Sequence, residues 1–99
     1  MAPTLRFPRG APDGRNVYWQ LVCYVDDPYD AQAFLGKRGV DTSTTSLEKI
    51  SDLPAYPYRG ETPSADRLYT NGLLIPAYPR LAPEDLERVR SAIREYATR

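Results

Sequence analysis

The sequence contains no histidine and a single cysteine, Cys23, in 99 residues. Without histidine the chain lacks the usual acid–base side chain of neutral pH and the commonest metal ligand, so no zinc site is expected. One cysteine cannot form an internal disulfide framework and fits a reducing compartment, which places the chain in the cytoplasm. No Gly-rich phosphate loop of the Walker or dinucleotide type is present. The longest mostly apolar run, Val17 to Val25, is far too short to span a bilayer, and no apolar segment follows Arg6 and Arg9. Neither a membrane span nor a signal peptide is expected. Charge of one sign is not in excess, because 13 basic and 13 acidic side chains cancel. No block of like charge suggests a nucleic-acid groove or an anionic membrane surface. Chemistry done by this chain alone would rest on Tyr, Lys, Asp, Glu, Arg or hydroxyl groups.

The pattern that is present describes one small domain with a lead-in. Residues 1–15 hold three prolines, two glycines and three arginines with no periodicity, and read as an extended N-terminal arm; residues 16–99 are long enough for a single modest core. Val17 to Val25 alternates Val17, Trp19, Leu21, Cys23 and Val25 with Tyr18, Gln20, Val22 and Tyr24, which predicts a central strand. Asp27 is a good N-cap and Pro28 fits the first helical position, so a helix follows to about Arg38. Its inward residues are Ala31, Phe34 and Leu35, and Gly39 supplies a left-handed residue beyond its end. Val40 to Thr45 reads as a second, more polar strand. Ser46 to Glu61 is irregular, with a helical turn near Leu47 to Ser51. Thr62-Pro63 opens a short helix to about Thr70, and Asn71-Gly72 ends it. Leu73 to Ile75 is a third strand. A terminal helix begins at Pro83 with Glu84 and Asp85 complementing its dipole, and Leu86, Val89, Ile93, Tyr96 and Ala97 form its apolar face. The expected fold is α+β, a small, largely antiparallel three-stranded sheet with helices packed on one face. Cys23 shares a strand face with Trp19 and Leu21 and is expected to be an inert core thiol.

Several stretches together resemble a known family. They are Asn16-Val17-Tyr18-Trp19-Gln20-Leu21-Val22, then Phe34-Leu35-Gly36-Lys37-Arg38-Gly39-Val40-Asp41-Thr42, then Pro63-Ser64-Ala65-Asp66-Arg67-Leu68. The turn Leu73-Leu74-Ile75-Pro76-Ala77-Tyr78-Pro79 and the helix start Glu84-Asp85-Leu86-Glu87-Arg88-Val89 complete the set. Their order and spacing over residues 16–97 resemble the C-terminal small domain of the DegT/DnrJ/StrS sugar aminotransferases, which are fold-type-I pyridoxal-phosphate enzymes. In that family the resemblance implies a large domain carrying the Schiff-base lysine, the acidic partner of the pyridine nitrogen and the phosphate-binding loop. No stretch of this sequence matches that apparatus. Lys37 and Lys49 read as solvated surface lysines, so no cofactor and no transamination are expected of the chain by itself.

The resemblance further implies that the segment after Gly39-Val40 approaches an active-site mouth. There Thr42, Ser43, Thr44 and Thr45 offer a row of hydroxyls for a polar ligand, although the same residues suit a plain edge strand, which is the favoured reading. Tyr24, Tyr56, Tyr58 and Tyr78 fall in or beside loops, with Arg59 near them. An arginine among tyrosines can grip a carboxylate or phosphate, anchor a protein partner, or simply pack; interface and packing are favoured. Tyr78 and Asp41 are the candidate acid–base groups. Three functions stay open: an accessory protein acting through a homo-oligomer or a larger aminotransferase-like subunit, the in-trans half of a split aminotransferase, and a repurposed enzyme or small-molecule-binding module of a biosynthetic pathway.

Overall fold

The computed structural model describes residues 5–7, 10, 12–15, 20–44, 49–57 and 60–99. Its elements run β1 (Leu5–Arg6), β2 (Leu21–Val25), α1 (Pro28–Gly36), β3 (Ser43–Thr44), a 3-10 turn (Ile50–Asp52), α2 (Pro63–Asn71), β4 (Gly72–Ile75) and α3 (Pro83–Thr98). The α+β class is as expected, but the sheet has four strands, not three, in the order β1-β2-β4-β3 and antiparallel throughout. The extra strand comes from the segment read as an arm. Leu5 pairs with Val25 and Arg6 with Tyr24, so Leu5 lands on the buried face and β2 gains a backbone partner on its open side. Two residues are too few to show a period of two, which is why the sequence pattern is silent there.

The apolar alternation of β2 sets the core. Cys23 and Val25 are buried, and across the ladder Cys23 faces Leu73 and Leu21 faces Ile75. The same face is roofed by α1, through Ala31 and Leu35, and by α3, through Val89, Ala92 and Tyr96. Burial pushes the Cys23 thiol up to about 11, which keeps it protonated and inert at neutral pH. Asp27 caps α1 as expected, accepting from the Asp30 backbone N–H at 3.1 Å. The helix ends two residues early, at Gly36, and a turn through Lys37 and Arg38 reaches Gly39 at φ +78°. That left-handed residue reverses the chain and sends Val40 into the core.

Asn71-Gly72 ends α2 as expected, with Gly72 extended at φ −73°, ψ 137° and already the first residue of β4. Two other expectations are corrected. The second strand is shorter than Val40 to Thr45, with only Ser43 and Thr44 pairing to β4, and Thr45 lies outside the described residues. The helices do not all lie on one face. No residue of α2 is buried, and the Arg67 guanidinium lies over the Tyr24 ring at 4.3 Å. Alternation along β2 puts Tyr24 on the face opposite Cys23 and Val25. The helical turn expected near Leu47 to Ser51 is the 3-10 turn at Ile50–Asp52, and Leu47 and Glu48 lie outside the described residues, as do 17–19 of the first strand.

Tyr96 holds α3 to the rest. Its ring is 1% exposed and meets Phe34 of α1 edge-on, with centroids 5.4 Å apart. Arg38 stacks on Phe34 and pairs with Glu95, while Arg99 lies over both rings and pairs with Asp30. Leu86, expected on the apolar face, is instead 47% exposed. Tyr96→Ala is therefore expected to destabilise the fold by about 3–5 kcal/mol. Leu86→Ala should change stability by no more than about 0.5 kcal/mol. Denaturant unfolding of the two variants checks both values.

Candidate functional site

Two open clefts flank the lead-in to β3, and Asp41 and Pro76 line both. The first, about 240 Å³, is bordered by Gln20, Asp41, Thr42 and Ser43 on one side and by Pro76 and Ala77 on the other. The second, about 330 Å³, has an apolar floor of Val40, Pro76, Leu81 and Val89, with Asp41, Tyr78, Asp85 and Arg88 around it. Local sequence explains the placement. The reversal at Gly39 carries Asp41 out to the surface, and the proline-broken turn after β4 brings Tyr78 to the same cleft. Arg88 lies with its aliphatic stem close to Gly39 and its guanidinium 3.9 Å from Asp85.

The two acid–base candidates, Asp41 and Tyr78, thus share one cleft, whose polar groups are suited to hydrogen-bonding a ligand over an apolar base. Of the hydroxyl row, Thr42 and Ser43 line the smaller cleft, Thr44 is half-buried in β3, and Thr45 and Arg59 lie outside the described residues, as does Tyr58. Thr42 is 6% exposed; its backbone carbonyl accepts from Gln32 Nε2 at 2.9 Å, but its Oγ1 is buried without a hydrogen-bond partner. Tyr24 does not join Tyr78; it lines a separate cleft with Arg6 and Arg67. Asp85 and Arg88 were legible only as the solvated face of a helix, since nothing local marks them as facing Asp41. Among the described residues no group of three His, Cys, Asp or Glu side chains could hold a metal, and no helix is long and apolar enough to cross a membrane.

A profile of the DegT/DnrJ/EryC1/StrS aminotransferase family matches residues 3–94. The chain belongs to that family. Similar solved structures include S. venezuelae DesV in complex with a ketimine intermediate, at 29% identity and a TM-score of 0.81, covering 96% of this chain and 27% of that one. The aminotransferase TlmJ from Streptoalloteichus hindustanus matches at 26% identity and TM-score 0.75, over 95% of this chain and 26% of its own. A DegT DnrJ EryC1 StrS aminotransferase from Brucella abortus shares the fold at TM-score 0.78 and 18% identity, over 96% and 26% of the two chains. No curated protein matches. The chain spans about a quarter of the length of these solved structures.

The residues present do not fit pyridoxal phosphate. That cofactor needs a lysine amine that can lose its proton inside a cavity, and an acidic or basic partner for the pyridine nitrogen. The sequence holds two lysines. Lys37 is exposed in the turn after α1. Lys49 donates to Asp66 at 2.6 Å and lies 3.5 Å from Asp52. The Asp66 hydrogen bond is the main force holding the Lys49 ammonium above its ordinary 10.5, the opposite of what a nucleophilic amine requires. Neither lysine lines the clefts at Asp41. A Schiff-base lysine would have to come from outside these residues.

Two outcomes follow. The Lys49 hydrogen bond, with a second from Thr62, lowers the Asp66 carboxyl below its ordinary 3.8. Asp66 therefore adds stability fully above 3.8, lost as pH falls through its lower folded value; Lys49 adds stability fully below 10.5, lost as pH rises through its higher one. Lys49→Met should lower the melting temperature by a steady amount from about pH 5 to 9, and the gap should close in acid as Asp66 takes up its proton. Thermal unfolding across pH reads this. Thr42→Val, which removes the orphaned hydroxyl at constant shape, should stabilise the fold by about 1 kcal/mol in denaturant unfolding.

Proposed function

We propose that this chain has no transaminase activity by itself and works by docking on a larger, cofactor-bearing aminotransferase body, to which it offers the Asp41–Ser43 segment and Tyr78 as one wall of a shared cleft. The observation that carries the reading is α2. Ala65, Leu68 and Tyr69 recur at helical spacing, yet the helix buries none of its residues, and Leu68 and Tyr69 are exposed. Lys49 ties the 3-10 turn, with its exposed Ile50 and Leu53, to this helix through Asp66. A stable amphipathic helix ordinarily covers its apolar stripe, and an uncovered one marks a partner site. The lysine arithmetic and the fourfold greater length of the similar structures support the same conclusion. The body it docks on is either a separate subunit or further sequence of the same protein, acting in a cytoplasmic biosynthetic pathway; self-association through the same patch would make a homodimer.

A second reading is favoured by one feature, the apolar-floored cleft with Asp41 and Tyr78 on its rim: a ligand-binding module that uses no cofactor. Binding of candidate metabolites, lost in Asp41→Asn and Tyr78→Phe, would favour it.

The docking reading is tested by mixing the purified chain with a lysine-bearing large body of the family, following complex formation by sedimentation and turnover by product release. Expected are no turnover from the chain alone, a complex, and raised turnover in the mixture. Ile50→Ser with Tyr69→Ser should weaken that complex at least tenfold while the circular dichroism of the chain is unchanged. A chain that stays a monomer and leaves the body's turnover unaltered removes the proposal.

A further inference from the structure

On the sheet face turned away from α1 and α3, three charged side chains frame a third cleft of about 200 Å³. Arg6 stands directly across the ladder from Tyr24, so both project to this face. Arg67 reaches over from α2 and lies against the Tyr24 ring, 4.3 Å from its centre. Stacking of this kind fixes the guanidinium plane while leaving its N–H edge open to an acceptor. Asn71 closes the end of the cleft, with its amide donating to the carbonyls of Val25 at 2.9 Å and Asp26 at 3.3 Å, and so pins the end of α2 to the end of β2. Asp26 also lines the cleft, yet forms no ion pair with either arginine. Among the described residues Arg38, Arg88, Arg90 and Arg99 each have a carboxylate within ion-pairing distance, whereas Arg15, Arg80 and Arg94, like Arg6 and Arg67, have none. Arg6 and Arg67 differ from those three in lining one hollow together.

We propose that this cleft is an oxyanion-binding site, in which Arg6 and Arg67 take a phosphate or carboxylate group between them against the Tyr24 ring. Two guanidinium forks outweigh one carboxylate, so the cleft keeps a net positive charge, and charge-assisted bonds from arginine are the strong class of oxyanion contact. A liquid water occupies about 30 Å³, so the volume admits a phosphate group with part of what it is attached to. Asp26 then faces whatever lies beyond the anion and suits a hydroxyl or amine there. The site lies on a different face from the clefts at Asp41, and the inference does not rest on the docking reading.

The test is a titration of the isotope-labelled chain with inorganic phosphate, with acetate and with chloride at matched ionic strength, followed by amide and arginine Nε–H shifts. Saturable shifts at Tyr24, Asp26, Arg67 and Asn71 are expected with phosphate; whether acetate also saturates decides between a phosphate-selective and a general oxyanion site, and both support the proposal. Arg6→Gln and Arg67→Gln should each weaken phosphate binding at least tenfold. Asp26→Asn should tighten it several-fold, a change of sign that a merely structural role of these residues would not produce. Equal shifts with chloride, or unaltered phosphate binding in Arg6→Gln, would overturn it.

Discussion

Everything in this fold depends on covering one face of a four-stranded sheet. Leu21, Cys23 and Val25 of β2 and Leu73 and Ile75 of β4 form a single apolar surface, and α1 and α3 are the elements that remove it from water. Tyr96 is the side chain on which that closure turns. Its burial contributes about 1.5–3 kcal/mol as transferred area, and its edge-on contact with Phe34 orients α3 along α1. The arginines over these rings extend the closure to the surface, since Arg99 and Arg38 each join an aromatic face to a carboxylate on the other helix or its own. The clefts at Asp41 exist because this closure holds. Val89 of α3 supplies the floor of the larger one, and Val40, drawn into the core, positions Asp41 at its edge.

Local chemistry made much of this legible in the sequence. Asp27-Pro28, Thr62-Pro63 and Pro83 each start a helix where the capping rules say, and Gly39 is where the chain needs a positive φ. The alternation around Cys23 correctly marks the core strand. What could not be read is set by partners distant in the chain. Leu5 and Arg6 become a strand only because β2 has a free edge. Leu86 sits at a helical core spacing, yet α1 ends before it can cover that turn, and the residue stays outside. Gly72 stops α2 as its residue type suggests, but its pairing with Tyr24, which makes it also the first residue of β4, has no local signal. The site divides the same way: Asp41 and Tyr78 were visible as punctuation beside Gly39 and between prolines, whereas Arg88 and Arg67 look like ordinary solvated helix residues until the sheet brings their neighbours to them.

Family membership here is carried by the fold, and the proposed placing of the chemistry on another body follows from which residues do which task. The family's match covers residues 3–94, which take in the four strands of the sheet, α1, α2 and most of α3, and a fold of that kind carries no reaction of itself. The family's reaction rests on a lysine held neutral in a cavity. In this chain the better-placed lysine, Lys49, is used in the opposite sense, as a charged clamp between the 3-10 turn and α2. A single residue cannot serve both ends, because the hydrogen bond that secures the clamp raises the proton affinity that a nucleophile must lose.

Thr42 shows where the fold gives up stability of its own. A buried hydroxyl without a partner costs about 1–3 kcal/mol relative to a satisfied one, and nothing in the core requires it, since a methyl would fill the same space. The residue sits at the point where β3 begins, between the cleft edge at Asp41 and a strand that pairs through only two residues. Gln32 secures its carbonyl but leaves the hydroxyl idle. β3, like β1, is an edge strand that pairs through only two residues, so little of the ladder holds it, while Val40 and Thr42 just before it are fixed by burial. The segment that borders both clefts is therefore positioned by the core on its lead-in side and by two ladder pairs beyond it.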